Sequence, residues 1–164
     1  MNVLSDRYWR VIRFRETDAA GVVYFGELLG FCHEAYEDAL AKVGVDIRSF
    51  FSKDGCSKDG CSKDGVAEAA DNKEGLRQLA IAIPIVHTEA DFFRPMFCGD
   101  RIAISLLPKQ LAPHSFEIAY EVFSEDEQKI AKASTRHVAI QVDNRRRCPL
   151  PSYLIDWIAS FDEY

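Results

Sequence analysis

The stretch FGELLGFCHEAYEDALAKVG, residues 25–44, places its apolar side chains at helical spacing. Leu28, Cys32, Ala35, Ala39 and Val43 recur every three or four positions, and Leu29, Tyr36 and Leu40 widen the stripe. Glu27, Glu34, Glu37, Asp38 and Lys42 fall largely on the other side. Gly44 follows at once, where the glycine that ends a helix belongs. The spacing predicts a helix from about Phe25 to Val43. Being apolar over more than one stripe, it is suited to being enclosed.

The flanking sequence supplies the enclosure. Residues 8–15 (YWRVIRFR) are aromatic and β-branched and read as a strand. Tyr8, Ile12 and Phe14 would share one face, with Arg10 the exception. Residues 79–93 form a long apolar stretch interrupted by Pro84. Residues 101–107 alternate through Ile102, Ile104 and Leu106, and residues 115–123 through Phe116, Ile118, Tyr120 and Val122. Residues 130–142 add a further strand. Turns at Cys98-Gly99-Asp100, Ala112-Pro113 and Glu125-Asp126-Glu127 separate these runs, which predicts an antiparallel meander. Leu154, Trp157, Ile158 and Phe161 mark a short amphipathic helix over 152–161. The expected class is α+β, one antiparallel sheet wrapped around one long helix.

A tandem Ser-Lys-Asp-Gly-Cys repeat fills residues 52–65, and a short helix is read around 66–79. Asp54, Asp59 and Asp64 are five apart and lack the alternating ligands of a calcium loop, so the repeat reads as a flexible polar insertion. The 164 residues fit one domain, with ordinary apolar and charged fractions of 48% and 28%. A net charge of −6 argues against nucleic-acid binding, which needs clustered cations. Arg145, Arg146 and Arg147 are the one basic run, sized for one or two phosphates of a small molecule. The five cysteines include no Cys-x-x-Cys pair, and neither a signal peptide nor a membrane-length apolar run is present. A reduced, cytoplasmic protein is expected.

The chemistry points to Thr17-Asp18-Ala19-Ala20-Gly21-Val22-Val23-Tyr24-Phe25-Gly26. A carboxylate ends a strand, small residues allow a tight turn, and a helix begins. The unpaired N–H groups of a first helical turn can hold an oxyanion, and a nearby carboxylate can attack or activate water. The plainer reading is that Asp18 only caps the turn. Glu34 reads as a solvated or interface residue and Cys32 as core. His33 borders the apolar stripe and reads as a packed or surface residue. His87, His114 and His137 are read in strands and lack a spaced carboxylate partner, so no metal is expected. No Gly-x-Ser-x-Gly elbow is present.

The same segment resembles the signature of the 4-hydroxybenzoyl-CoA thioesterase family of hot-dog proteins. Asp18, Gly21, Val23, Tyr24 and Phe25 match it in order, and Phe92-Phe93-Arg94-Pro95 with Gly99-Asp100 resembles the family's following strand and turn. The likeness spans about residues 8–142, apart from the repeat. Within the family, residues 84–95 are most similar to cyanobacterial members acting on 1,4-dihydroxy-2-naphthoyl-CoA in phylloquinone biosynthesis. The resemblance implies a hot-dog fold and hydrolysis of an acyl-CoA without a cofactor. It makes Asp18 the nucleophile or general base and the Phe25 N–H, helped by Tyr24 or Gly26, the oxyanion donor. It implies a homodimer or homotetramer, and Arg145–Arg147, which follow the last strand, read either as a contact for the CoA phosphates or as a solvated basic turn. Leu28 and Tyr36 depart from residues common in relatives, which bears on acyl specificity. Two alternatives stay open: a general short-chain or fatty acyl-CoA thioesterase, and a non-catalytic acyl-CoA-binding domain. A hot-dog hydratase is disfavoured, since no histidine lies near residues 17–26.

Overall fold

The apolar stripe of residues 25–44 becomes helix α1 (Glu27–Lys42), with Leu28, Phe31, Cys32, Ala35, Tyr36 and Leu40 buried. In this computed structural model, residues 7–45 and 81–161 are described. The Ser-Lys-Asp-Gly repeat and the helix expected around 66–79 lie outside them. Phe31 joins the buried face, whereas Val43 is exposed, because the helix has ended by then. Gly44 takes φ +79°, the left-handed conformation that closes a helix and that glycine adopts without a Cβ clash.

The strands are β1 (Tyr8–Val11), β2 (Ile81–Ala82), β3 (Ile85–Phe92), β4 (Arg101–Ala112), β5 (Ser115–Ser124), β6 (Lys129–Val138) and β7 (Ile140–Gln141). Five of them form one antiparallel sheet in the order β1-β4-β5-β6-β3, and β2 pairs with β7. The predicted meander is β4-β5-β6. Its register sets Ile104 opposite Val122 and Leu106 opposite Tyr120, so the alternating apolar residues share the face that covers α1. Ile102, Ile104, Phe116, Ile118, Tyr120 and Val122 form one core with the helix stripe. Each such side chain contributes roughly 2 kcal/mol through burial. A second helix, α2 (Ser152–Ala159), closes one end with Leu154, Trp157 and Ile158. This is the expected α+β hot-dog arrangement.

Three local expectations are corrected. The first strand stops at Val11, because a 3-10 turn over Phe14–Glu16 redirects the chain. That turn leaves Ile12 buried but swings Phe14 out to 84% exposure. His114 lies in the β4–β5 turn rather than in a strand. The apolar run before residue 93 is only partly covered: among the described residues β3 pairs with β6 alone, Ile85, Val86 and Phe92 are exposed, and Ile81, Ile83 and Ala90 pack against the core. Among the described residues, no helix is long and apolar enough to cross a membrane.

Candidate active site

Residues 16–24 fold as a short hairpin. The Asp18 N–H donates to the Val22 carbonyl at 2.8 Å, and the Tyr24 N–H to the Glu16 carbonyl at 2.9 Å. Thr17 and Val23 form a bridge between these bonds. Gly21 takes φ +77° at the tip and donates its N–H to the Asp18 carbonyl at 3.0 Å. The hairpin is strapped to the segment after β3, since the Val23 N–H donates to the Met96 carbonyl at 2.9 Å and Val22 bridges Phe97.

Asp18 caps the turn with one carboxylate oxygen only. Its Oδ1 accepts the Ala20 N–H at 2.8 Å and the Val22 N–H at 3.2 Å, an Asx-type cap of the turn. Its Oδ2 takes no partner among the described residues, and the side chain is exposed. One oxygen therefore fixes the carboxylate while the other stays open.

Gly26 caps the start of α1 with no side-chain hydrogen bond. Among the described residues, the N–H groups of Phe25 and Gly26 have no acceptor, whereas that of Tyr24 is committed to Glu16. The expectation that Tyr24 assists an oxyanion does not fit this bond; Phe25 and Gly26 are the amides left to donate. A Cβ at Gly26 would come 3.0 Å from the Tyr24 ring, so glycine lets that ring fold back over the turn. Asp18 faces Val22 across the hairpin tip, and Phe25 lies at the far end of the arm that Val22 begins. The three steps from Val22 to Phe25 span at most about 10 Å.

A cleft of about 390 Å³ lies beside Phe25, lined by Val22, Val23, Phe92, Phe93, Arg94 and Pro95, with Met96 behind them. Its walls are mainly apolar, and Asp18 sits beyond Val22 at the hairpin tip rather than in the wall. Arg145, Arg146 and Arg147 are exposed in the turn after β7. Arg145 adopts φ 59° and donates its N–H to the Gln141 carbonyl at 3.0 Å. Arg147 Nη1 lies 3.5 Å from His114 Nε2. That turn belongs to the Ile85 end of β3, because β7 pairs with β2, whereas the cleft lies at the Phe92 end. Eight strand residues separate the two, roughly 25 Å. One chain does not bring the arginines to Asp18.

Other candidates sort quickly. Burial pushes the Cys32 thiol up to about 12, so it stays protonated in the core. His33 is half-exposed and lies 3.2 Å from Glu37 one turn on. Glu34 accepts hydrogen bonds from Tyr8 and Arg10. Among the described residues, no group of three or more His, Cys, Asp or Glu side chains is placed to hold a metal. Sequence reasoning missed Glu16, whose carboxylate is buried behind the hairpin. The available signal was Arg10, a cation on the inward face of β1.

The family model of the Thioesterase-like superfamily matches residues 12–158. A 1,4-dihydroxy-2-naphthoyl-CoA hydrolase of Crocosphaera subtropica is 44% identical over 155 residues, covering 93% of this chain and 95% of that protein. One from Thermosynechococcus vestitus is 38% identical, covering 95% and 90%. The crystal structure of a 1,4-dihydroxy-2-naphthoyl-CoA thioesterase from Synechocystis superposes with a TM-score of 0.76 at 33% identity, covering 95% of this chain and 96% of that one. With its hot-dog sheet, its hairpin carboxylate and these matches along nearly its whole length, the chain belongs to the Thioesterase-like superfamily.

Proposed function

We propose that the chain hydrolyses 1,4-dihydroxy-2-naphthoyl-CoA, releasing the free acid and coenzyme A, with Asp18 as the reacting carboxylate. The substrate is that of the cyanobacterial relatives aligned along more than nine-tenths of the chain. The observation that carries the mechanism is the divided role of Asp18: Oδ1 is tied by two amides and Oδ2 is open. In this reading Oδ2 attacks the thioester carbonyl, or removes a proton from a water that does. The oxygen that gains charge accepts the N–H of Phe25, with Gly26 assisting, at the positive end of α1. The C–S bond then breaks, and the thiolate leaves without needing a strong general acid. After direct attack a water next cleaves the anhydride left on Asp18, and after general-base attack the proton held on Oδ2 passes to the thiolate. The cleft walls of Val22, Phe25, Phe92 and Phe93 suit a flat aromatic acyl group.

The working unit in this proposal is a homodimer joined along β3. Among the described residues the outer edge of β3 has no partner strand, and with Ile85, Val86 and Phe92 exposed it favours pairing with another strand. In an antiparallel pairing about a two-fold axis, each β3 edge meets the same edge of its partner. Antiparallel pairing also carries the Ile85 end of one copy to the Phe92 end of the other. Each cleft then receives the arginine turn of its partner for the CoA phosphates.

The test is thiol release from a panel of aryl- and fatty-acyl-CoAs, wild type against Asp18→Asn. Turnover should favour the naphthoyl ester and fall by about 10²–10⁴-fold in the variant. Equal rates in the two proteins would remove Asp18 from the reaction, and a preference for fatty esters would remove the aromatic substrate.

A further inference from the structure

Behind the hairpin lies an ion-pair network that the hydrolytic reaction does not itself use, with Arg10 and Glu16 buried and Glu34 at its solvent edge, 45% exposed. Arg10 occupies an inward position of β1, where the alternation calls for an apolar side chain, and its side chain is 9% exposed. Its Nη2 donates to Glu16 Oε1 at 2.6 Å and its Nη1 to Glu34 Oε2 at 2.6 Å. The guanidinium also lies over the Phe31 ring, with Cζ 3.6 Å from the centroid. Glu16 is 2% exposed, and its second oxygen accepts the Arg13 N–H at 2.7 Å. The Tyr8 hydroxyl donates to the same Glu34 oxygen at 3.1 Å.

One planar cation therefore grips both parts of the site. Glu16 stands two residues before Asp18, and its carbonyl holds Tyr24, the residue before the Phe25 amide. Phe31 and Glu34 belong to the first two turns of α1, whose N-terminus carries that amide. Stability alone is a poor reason for this arrangement. Burying such charges costs desolvation, an apolar replacement of the whole pair is often neutral or better, and Arg10 Nε is left buried without an acceptor. What the guanidinium supplies is a fixed fork that a lysine cannot reproduce.

We propose that Arg10 is a positioning residue for the hydrolysis: it clamps the Asp18 hairpin to the first turns of α1 and so sets the gap between carboxylate and Phe25 N–H. This rests on the function proposed above.

The experiment compares Arg10→Lys, Glu16→Gln and the double variant Arg10→Met/Glu16→Gln. It reads kcat, KM, thermal midpoint and the affinity of a non-hydrolysable thioether analogue of the acyl-CoA. A misplacement of about 1 Å costs on the order of 10²-fold, so kcat should fall by about 10–100-fold. KM and analogue affinity should hold, because the cleft and the phosphate contacts are untouched. The double variant removes the buried pair and leaves Glu34, 45% exposed, to solvent; it should melt near wild type yet remain slow, and it decides the matter where a single variant fails to fold. A double variant with wild-type kcat, or rate losses that only track loss of folded protein, would overturn the proposal. Asp18→Asn, run alongside, separates the two failures. Full activity there removes the hydrolytic reading, whereas an inactive Asp18→Asn beside fully active Arg10 variants removes only the clamp.

Discussion

The imidazole of His137 lies flat on the ring of Phe116, with centroids 4.6 Å apart and planes 5° from parallel. Tyr36 packs against the same imidazole, Nε2 lies 2.9 Å from Thr135 Oγ1, and Nδ1 is buried without a partner. Burial, with a smaller contribution from the charge of His33, lowers the His137 pKa from 6.5 to about 4. The fold thus favours the neutral ring. Its contribution is complete above pH 6.5 and is lost as pH falls from there through about 4, on the order of 3 kcal/mol in all. Thermal midpoints measured from pH 7.5 to 4 should fall more steeply for wild type than for His137→Gln. Parallel curves would show that the ring titrates normally.

How far the sequence carries is clearest from pairs of neighbouring features. The α1 stripe and the alternation of β5 were legible because burial on one face imposes a period, and Leu28, Cys32, Ala35 and Tyr36 obey it. Phe14 was misread because the 3-10 turn resets the alternation, and nothing in its own side chain signals that. The exposure of Ile85, Val86 and Phe92 on β3 was not legible, because an apolar residue looks the same in the sequence whether or not its own chain covers it. At the site, Asp18 and Phe25 could be found from turn residues and a helix start. The engagement of the Tyr24 amide could not, since main-chain register with Glu16 decides which N–H is free. Nor could the distance from the arginine turn to the cleft, which depends on strand order rather than on local sequence.

Gly21 tests how tightly the hairpin must hold Asp18. A Cβ there would meet nothing within 4 Å, so the cost of Gly21→Ala is that of φ +77° alone, about 1 kcal/mol. A chain that relaxes this angle shifts the Gly21 N–H from the Asp18 carbonyl. The expected result is a small drop in melting temperature with a larger drop in kcat and little change in KM. Gly21→Asn should lose less, because asparagine tolerates the left-handed region. Steady-state kinetics beside thermal melts on both variants give the answer; identical kcat for Ala and Asn would show that the tip geometry is irrelevant.

Val86 tests the β3 edge. Its side chain is exposed on a strand that, among the described residues, is unpaired on one side, so Val86→Lys has little to disturb there. Placed in a strand–strand interface it would bury a charge or force the edges apart. Light scattering should report a dimer or larger species for wild type and a monomer for the variant, with circular dichroism unchanged. Activity should fall with the loss of the dimer and rise again at high protein concentration. A wild-type monomer that is fully active would end the β3 interface.

The arginine turn gives the sharpest test of that dimer, because the roughly 25 Å separation within one chain makes cis and trans contributions distinguishable. Replacing Arg145, Arg146 and Arg147 by Ala should raise KM for the CoA ester, leave kcat nearly unchanged and flatten its dependence on salt. Mixing that triple variant with Asp18→Asn, after denaturation and refolding together, produces heterodimers with one informative site. If each cleft uses the partner's arginines, the subunit with an intact Asp18 faces the intact arginines of its Asp18→Asn partner. That site should work with the wild-type KM. If the arginines act in cis, Asp18 stays beside its own alanines, and the mixture keeps the raised KM of the triple variant. A low-KM component that appears only on mixing, absent from either parent, is the expected outcome.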